Sequence, residues 1–146
     1  MCIRDSIYAS VFLSDTPPQV FGNPDKIQQI FLNLLINAIE AMPQGGTLEV
    51  SSITTFERRP GLHNASELPI VEILIKDSGP GIPPHDQKAV FEPFYSTKES
   101  QGGTGLGLSV VHGIVKEHDG WAEILNAPSK GATFRVCLPL AKTKNK

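Results

Sequence analysis

Residues 102–108 read GGTGLGL, and an apolar-periodic stretch runs from Leu106 to His118. Four glycines and a threonine leave bare backbone N–H groups at the mouth of an expected helix. The first N–H groups of a helix have no internal partners and carry partial positive charge, so such a mouth suits a phosphate. Gly103, Gly105 and Gly107 would form the cradle and Thr104 would add a hydroxyl donor. Two better-known phosphate loops are excluded. The chain holds no GxxxxGK[ST]. Its GxGxG spacing follows no strand, as a dinucleotide-binding loop requires. A plain flexible connector is the other reading of these glycines.

Asn33 and Asn37 stand four apart within a helical pattern and share one face, which Glu40 continues. An amide oxygen is a hard neutral ligand. It can complete a Mg²⁺ shell otherwise made of phosphate oxygens and water. A solvent-facing polar stripe remains the alternative. Asp77 ends a β-rich run and precedes Ser78-Gly79-Pro80-Gly81. Its carboxylate can accept from an exocyclic amine, and Gly79 and Gly81 let backbone approach a flat ring. The same residues also make an ordinary turn. Lys98, a few residues before the glycines, would reach terminal phosphate charge or stay solvated. The four histidines show no HxxxH or HExxH pattern, which argues against metal catalysis by histidine.

These residues need elements to hold them. Ile7–Leu13 reads as a strand, broken by Pro17-Pro18, with Gln19–Phe21 as a short return strand. Asn23-Pro24 starts a helix, with Asn as cap and Pro at the first position. Ile27, Ile30, Phe31, Leu34, Ala38, Ala41 and Met42 give it an apolar face. Thr47–Thr55 and Ile70–Lys76 read as strands joined by a long polar, mobile link, Phe56–Pro69. A short helix is expected around His85–Ala89, Phe91–Lys98 reads as irregular, and Glu99–Gly103 is small and polar. The second main helix runs to about Asp119, with His112 and His118 as packing or surface residues. Trp121–Asn126 and Ala132–Leu138 close the chain as strands around a Ser129-Lys130-Gly131 turn, with Trp121 and Phe134 in the core. The hairpin-like pairs exclude a simple βαβ repeat. The expected fold is α/β, a two-layer sandwich of a mixed, mostly antiparallel sheet with helices on one face.

The chain has 146 residues, enough for one domain. A net charge of −2, from 13 basic and 15 acidic residues, gives no reason to expect nucleic acid as a partner. No apolar run is long enough for a membrane span, and no secretory signal is evident. Cys2 and Cys137 form no CxxC pair, so neither a zinc site nor a disulfide scaffold is expected. A reducing, cytoplasmic setting follows as the default.

Four segments in this order resemble the ATP-binding catalytic domain of bacterial sensor histidine kinases. That domain has the Bergerat-type fold shared with type II topoisomerase, mismatch-repair and heat-shock-chaperone ATPases. NLLINAIEAM at 33–42 is similar to the asparagine box, and DSGPGI at 77–82 to the first glycine box. FEPFYSTK at 91–98 is similar to the phenylalanine box, and GGTGLGL to the second glycine box. The spacing of the last two, with NAIEAMPQGG, looks most like the nitrogen-regulation type.

The resemblance spans about residues 7–140. It implies ATP and Mg²⁺ as ligands, Asn37 as the metal ligand and Asn33 as support on the phosphate side. Asp77 would bind the adenine amine, with Gly79, Gly81 and Ile82 shaping its pocket. Phe91 and Phe94 would anchor a lid of residues 95–104. Gly103, Thr104, Gly105, Leu106, Gly107 and Leu108 would enclose the triphosphate. Many members of the family carry a basic residue where Glu40 stands, so Lys98 becomes the expected phosphate cation.

None of the histidines stands in an acceptor-like context. The implied partners are therefore a histidine-bearing dimerisation hairpin of a parent kinase and, indirectly, a response regulator, with no direct membrane contact. Residues 1–6, MCIRDS, resemble a leader from fragmentary assembly, and 141–146 a frayed tail, so the chain is expected to be one domain cut from a longer kinase. The rival readings are a serine-phosphorylating relative, as in anti-sigma-factor kinases, and a nucleotide-binding interaction module without turnover.

Overall fold

The computed structural model describes residues 7–13, 19–42, 44–58, 60, 66–79, 107–126 and 131–141. Along them run β1 (Ile7–Phe12), α1 (Pro24–Glu40), β2 (Gly46–Glu57), β3 (Leu68–Asp77), α2 (Gly107–Glu117), β4 (Trp121–Asn126) and β5 (Ala132–Pro139). The strands form one sheet in the order β1-β2-β3-β5-β4. β1 runs parallel to β2, whereas β2–β3, β3–β5 and β4–β5 are antiparallel. Both helices pack on one face of this sheet through a shared core, so the expected two-layer mixed architecture is the one found.

Local chemistry sets the start of α1. The Asn23 side chain accepts from the N–H groups of Asp25 (2.9 Å) and Lys26 (3.3 Å), and Pro24 supplies the fixed φ of the first turn. Ile30, Leu34 and Ala38, spaced by four, are buried against the sheet. α2 contributes Val111, Ile114 and Val115. The sheet answers with alternate residues of β3 (Val71, Ile73, Ile75) and β5 (Ala132, Phe134, Val136, Leu138).

Arg135 lies on the opposite face. Its guanidinium bonds Glu57 on β2, Glu72 on β3 and Glu123 on β4, tying four strands together. Burial works against its charge, but the three carboxylate bonds outweigh that and hold its pKa above the ordinary value.

Four expectations change. Gln19–Phe21 forms no strand, because β1 takes β2 as its partner, and parallel pairing needs the crossover that α1 provides. The β2–β3 link shrinks to residues 58–67. The pairs Phe56↔Pro69 and Glu57↔Leu68 extend the ladder, and Arg135 makes a home there for the charge of Glu57. α2 ends at Glu117, stopped by Asp119 at φ 63. Gly120 N–H then bonds Val115 O (2.9 Å) and Asp119 N–H bonds Lys116 O (3.0 Å), a Schellman cap. Phe134 is core as expected, but Trp121 is only half-buried, since it sits on the edge strand β4 opposite Cys137. The helix expected around His85–Ala89 lies outside the described residues.

Candidate functional site

Three of the sequence-singled segments meet along one line on α1. At Asn33 the side-chain Nδ2 donates to the carbonyl of Gly107, the first residue of α2 (3.3 Å). Two turns further on, at Ala41, the backbone carbonyl lies against Gly79: a Cβ there would come within 2.7 Å of it. Asn37 is midway, half-buried. Eight residues of helix span about 12 Å, so Asn37 stands within about 6 Å, along the axis, of both neighbours. Asn33 and Asn37 of the polar stripe thus lie between the first residue of α2 and the end of β3, whereas Glu40 is exposed.

Asp77 closes β3 and is 2% exposed. Its Oδ1 accepts from the N–H of Gly79 (2.8 Å) and, more weakly, of Ala132 (3.4 Å). The carboxylate is thus held in one orientation by its own turn and by β5. Ser78 locks the same corner. Its Oγ accepts from the N–H of Thr47 (2.9 Å), and its own N–H bonds Thr47 O (3.2 Å). The hydroxyl also touches Met42 Sδ (3.4 Å). The ends of α1 and β3 and the starts of β2 and β5 are joined into one junction.

Sequence reading missed two members of it. Ser78 passed as a turn residue, and Gly131 as part of a hairpin turn. Gly131 has φ +92 and packs so tightly that a Cβ would lie 2.1 Å from the carbonyl oxygen of Asp77. Only the fold brings residues so far apart in sequence together. The one signal in the sequence was a glycine immediately before a buried strand.

Leu108 is half-buried in the first turn of α2, and Glu40 is exposed at the end of α1. Gly81, Ile82, Phe91, Phe94, Lys98, Gly103, Thr104, Gly105 and Leu106 lie outside the described residues. Among the described residues no three of His, Cys, Asp and Glu converge as a metal cage. A cavity of about 670 Å³ opens along the other half of α1, lined by residues such as Leu13, Val20, Ile27, Phe31 and Val50. Among the described residues its polar side chains are Gln28 and Ser52. The candidate site is the junction, not this hollow.

Residues 22–142 match the family of histidine kinase-, DNA gyrase B- and HSP90-like ATPases. The chain belongs to this ATPase family. Within it the chain is similar to sensor histidine kinases. It is 39% identical over 131 residues to the sensor histidine kinase ZraS of Escherichia coli (strain K12), covering 90% of this chain and 25% of ZraS. It is 40% identical over 127 residues to the sensory histidine kinase/phosphatase NtrB of Rhodobacter capsulatus, covering 85% of this chain and 34% of NtrB. The solved structure of the mycobacterial sensor histidine kinase MprB superposes with a TM-score of 0.78 at 32% identity, over 96% of this chain and 88% of that one. The chain therefore spans about a quarter to a third of the length of these two curated relatives. The resemblance drawn from the four motifs, including its nitrogen-regulation flavour, agrees with the family and with the presence of NtrB among the relatives.

Proposed function

We propose that this chain is the nucleotide-binding catalytic domain of a cytoplasmic two-component sensor kinase. It binds ATP with Mg²⁺ and presents the γ-phosphate to a histidine on a separate dimeric helical hairpin. One observation carries the reading: Asn37 lies between the mouth of α2, reached by Asn33, and the Asp77–Gly79 turn, reached by Ala41. One helix turn to each side, the line offers a carboxylate for a base and the N-terminus of a helix, with its partial positive charge, for phosphates.

In this reading Asp77 accepts from the adenine amine. Its fixed Oδ1 sets the direction in which the rest of the carboxylate points. Gly79, Gly81 and Ile82 line the base, and Phe94 steadies the lid. Gly103, Thr104, Gly105, Leu106, Gly107 and Leu108 surround the triphosphate, and Lys98 meets its terminal charge. Asn33 acts through Gly107, holding the helix mouth in place. The metal would come with the nucleotide, because the described residues offer no protein-only cage; Asn37 would supply an amide oxygen to it. Bound there, Mg²⁺ would neutralise phosphate charge.

Phosphoryl transfer asks mainly for position and charge stabilisation. The bond from the γ-phosphorus to the bridging oxygen breaks, ADP departs with that oxygen, and an acceptor imidazole nitrogen gains the phosphorus and loses its proton. A response regulator would then take the phosphoryl group.

The test adds a cognate dimeric hairpin and γ-labelled ATP. Label is expected on the hairpin, lost in acid and retained in base. Acid-stable label would move the chain to the serine-phosphorylating kinases. No label on a cognate hairpin, with ATP bound, would reduce it to a binding module.

A further inference from the structure

β1 ends the sheet, and nothing in the proposed nucleotide site uses its outer side. Among the described residues it pairs only with β2, through consecutive partners from Ile7↔Gly46 to Phe12↔Ser51 with no bulge. Its other side presents a row of backbone N–H and C=O groups with no strand beside it among those residues. Proteins guard such an edge with charge, proline or a bulge, because it accepts another strand. Residues 7–13 read IYASVFL and hold no charged residue, proline or glycine. β4, at the far edge, does carry a charge, the carboxylate of Glu123. The side chains of β1 are as open as its backbone. Tyr8 is 73% and Phe12 57% exposed, and Val11 and Leu13 are exposed too. α1 packs chiefly over β3, two strands in from this edge.

An uncharged, apolar edge fits a strand of the same character, and the order of residues in β1 makes it complementary to itself. A two-fold axis perpendicular to the sheet keeps the helices of both copies on one face and runs the two β1 strands antiparallel. Facing residues must then share a face, so the axis passes at a residue and not between two. Placed at Ser10, it pairs every residue from Ile7 to Leu13. Ile7 meets Leu13, Ala9 meets Val11, Tyr8 meets Phe12, and only Ser10 meets itself. Ala9 and Val11 are on the helix side, since their β2 partners Leu48 and Val50 are part of the core or pack on it. Tyr8 and Phe12 are on the other side, where symmetry makes two aromatic cross-strand pairs. An axis at Ala9 would instead set Tyr8 against Ser10 and leave Phe12 without a facing residue in the strand.

We propose that β1 is a homodimer contact, at which two copies of this chain join their sheets into one continuous sheet about an axis at Ser10. The inference goes beyond the nucleotide site and does not rest on it. Each aromatic ring brings about 150–250 Å² to be covered. With Val11, Leu13 and the strand backbones, the two copies cover on the order of 1,000 Å² in all, the lower end of specific interfaces. The dimer is accordingly weak and reversible, with a dissociation constant on the order of tens of micromolar. The contact also closes on itself, because each copy spends the same edge. β1 set on β4 of the next copy would repeat without end.

Sedimentation equilibrium of the full chain without nucleotide, at concentrations that bracket that constant, tests this. Ser10 is exposed, so Ser10→Lys should fold as the parent does. It sets two like charges opposite each other at the axis and should weaken the dimer by about tenfold or more. Ser10→Cys, made together with Cys2→Ser, should cross-link under copper phenanthroline. Facing Cα atoms lie about 4.5–5.5 Å apart, within the range of about 4.4–6.8 Å that a disulfide spans. Cys137 is buried and stays out of the reaction. Ala9→Cys on the same background faces Val11 of the second copy, with its symmetry mate two residues along, and should not cross-link. A reversible monomer–dimer equilibrium, weakened in Ser10→Lys and cross-linked at Ser10 but not at Ala9, supports the contact. A monomer throughout, growth beyond the dimer, or equal association of the parent and Ser10→Lys overturns it. If Ser10→Lys does not fold, the two cysteine variants decide: equal cross-linking in both, or none in either, overturns the contact. ATP is absent from every arm, so failure here leaves the nucleotide reading untouched.

Discussion

Asn37→Asp should lose about 100-fold in affinity for ATP·Mg²⁺ while keeping its fold. The substitution exchanges an amide for a carboxylate of the same shape, so packing changes little. Asn37 is half-buried, beside the mouth of α2, where the triphosphate would lie. Two unit charges about 4 Å apart repel by about 4 kcal/mol at an effective dielectric constant of 20. A metal ion shared between them would return part of that, leaving about 2.7 kcal/mol, which corresponds to the expected 100-fold. Calorimetric titration measures the affinity, and thermal melting of the same sample checks the fold. An affinity equal to the parent's, with an intact melt, would remove Asn37 from the phosphate side.

Gly131→Ala should have the largest effect on stability. The residue sits at φ +92, and a Cβ would lie 2.1 Å from the carbonyl oxygen of Asp77, a backbone atom that cannot rotate away. The left-handed conformation costs a residue with a Cβ roughly 1–2 kcal/mol. Forcing β5 from β3 adds an overpacking cost of typically about 1–3 kcal/mol. A total near ~3 kcal/mol should lower the melting temperature by about 10 °C. Because the displaced atom belongs to Asp77, nucleotide affinity should fall as well, even at temperatures where the variant is folded. A melt within a degree or two of the parent's would show that this corner yields more easily than its geometry implies.

The parts of the fold that were legible in sequence are those written in local code. Asn23-Pro24 announces α1 through capping chemistry, and the apolar spacing from Ile27 to Met42 gives its buried face. Asp77 and the glycines around α2 stood out because their residue types are chemically odd for ordinary strand ends. What stayed hidden depends on contacts between distant residues. Asp77 and Ala132 are hydrogen-bonded across 55 positions, and Asn23 and His118 across 95. No periodicity records such a pairing. The false return strand at Gln19–Phe21 has the same origin. A β-rich run needs a partner, and sequence proximity suggested the nearest one, whereas β2 lies beyond α1. Glu57 reads as loop by its charge and becomes strand because Arg135 reaches it from β5.

The central claim is that the junction of α1, β3 and α2 binds ATP. Titrating ATP·Mg²⁺ into the parent and into Asp77→Asn tests it most directly. The amide of the variant keeps an oxygen for the N–H groups of Gly79 and Ala132, so the turn survives while the charge is lost. The account predicts saturable one-to-one binding by the parent and an affinity roughly 10- to 100-fold lower in the variant, the worth of one charged hydrogen bond, with matching melts. Equal affinities in the two proteins, or no binding by the parent, would contradict it.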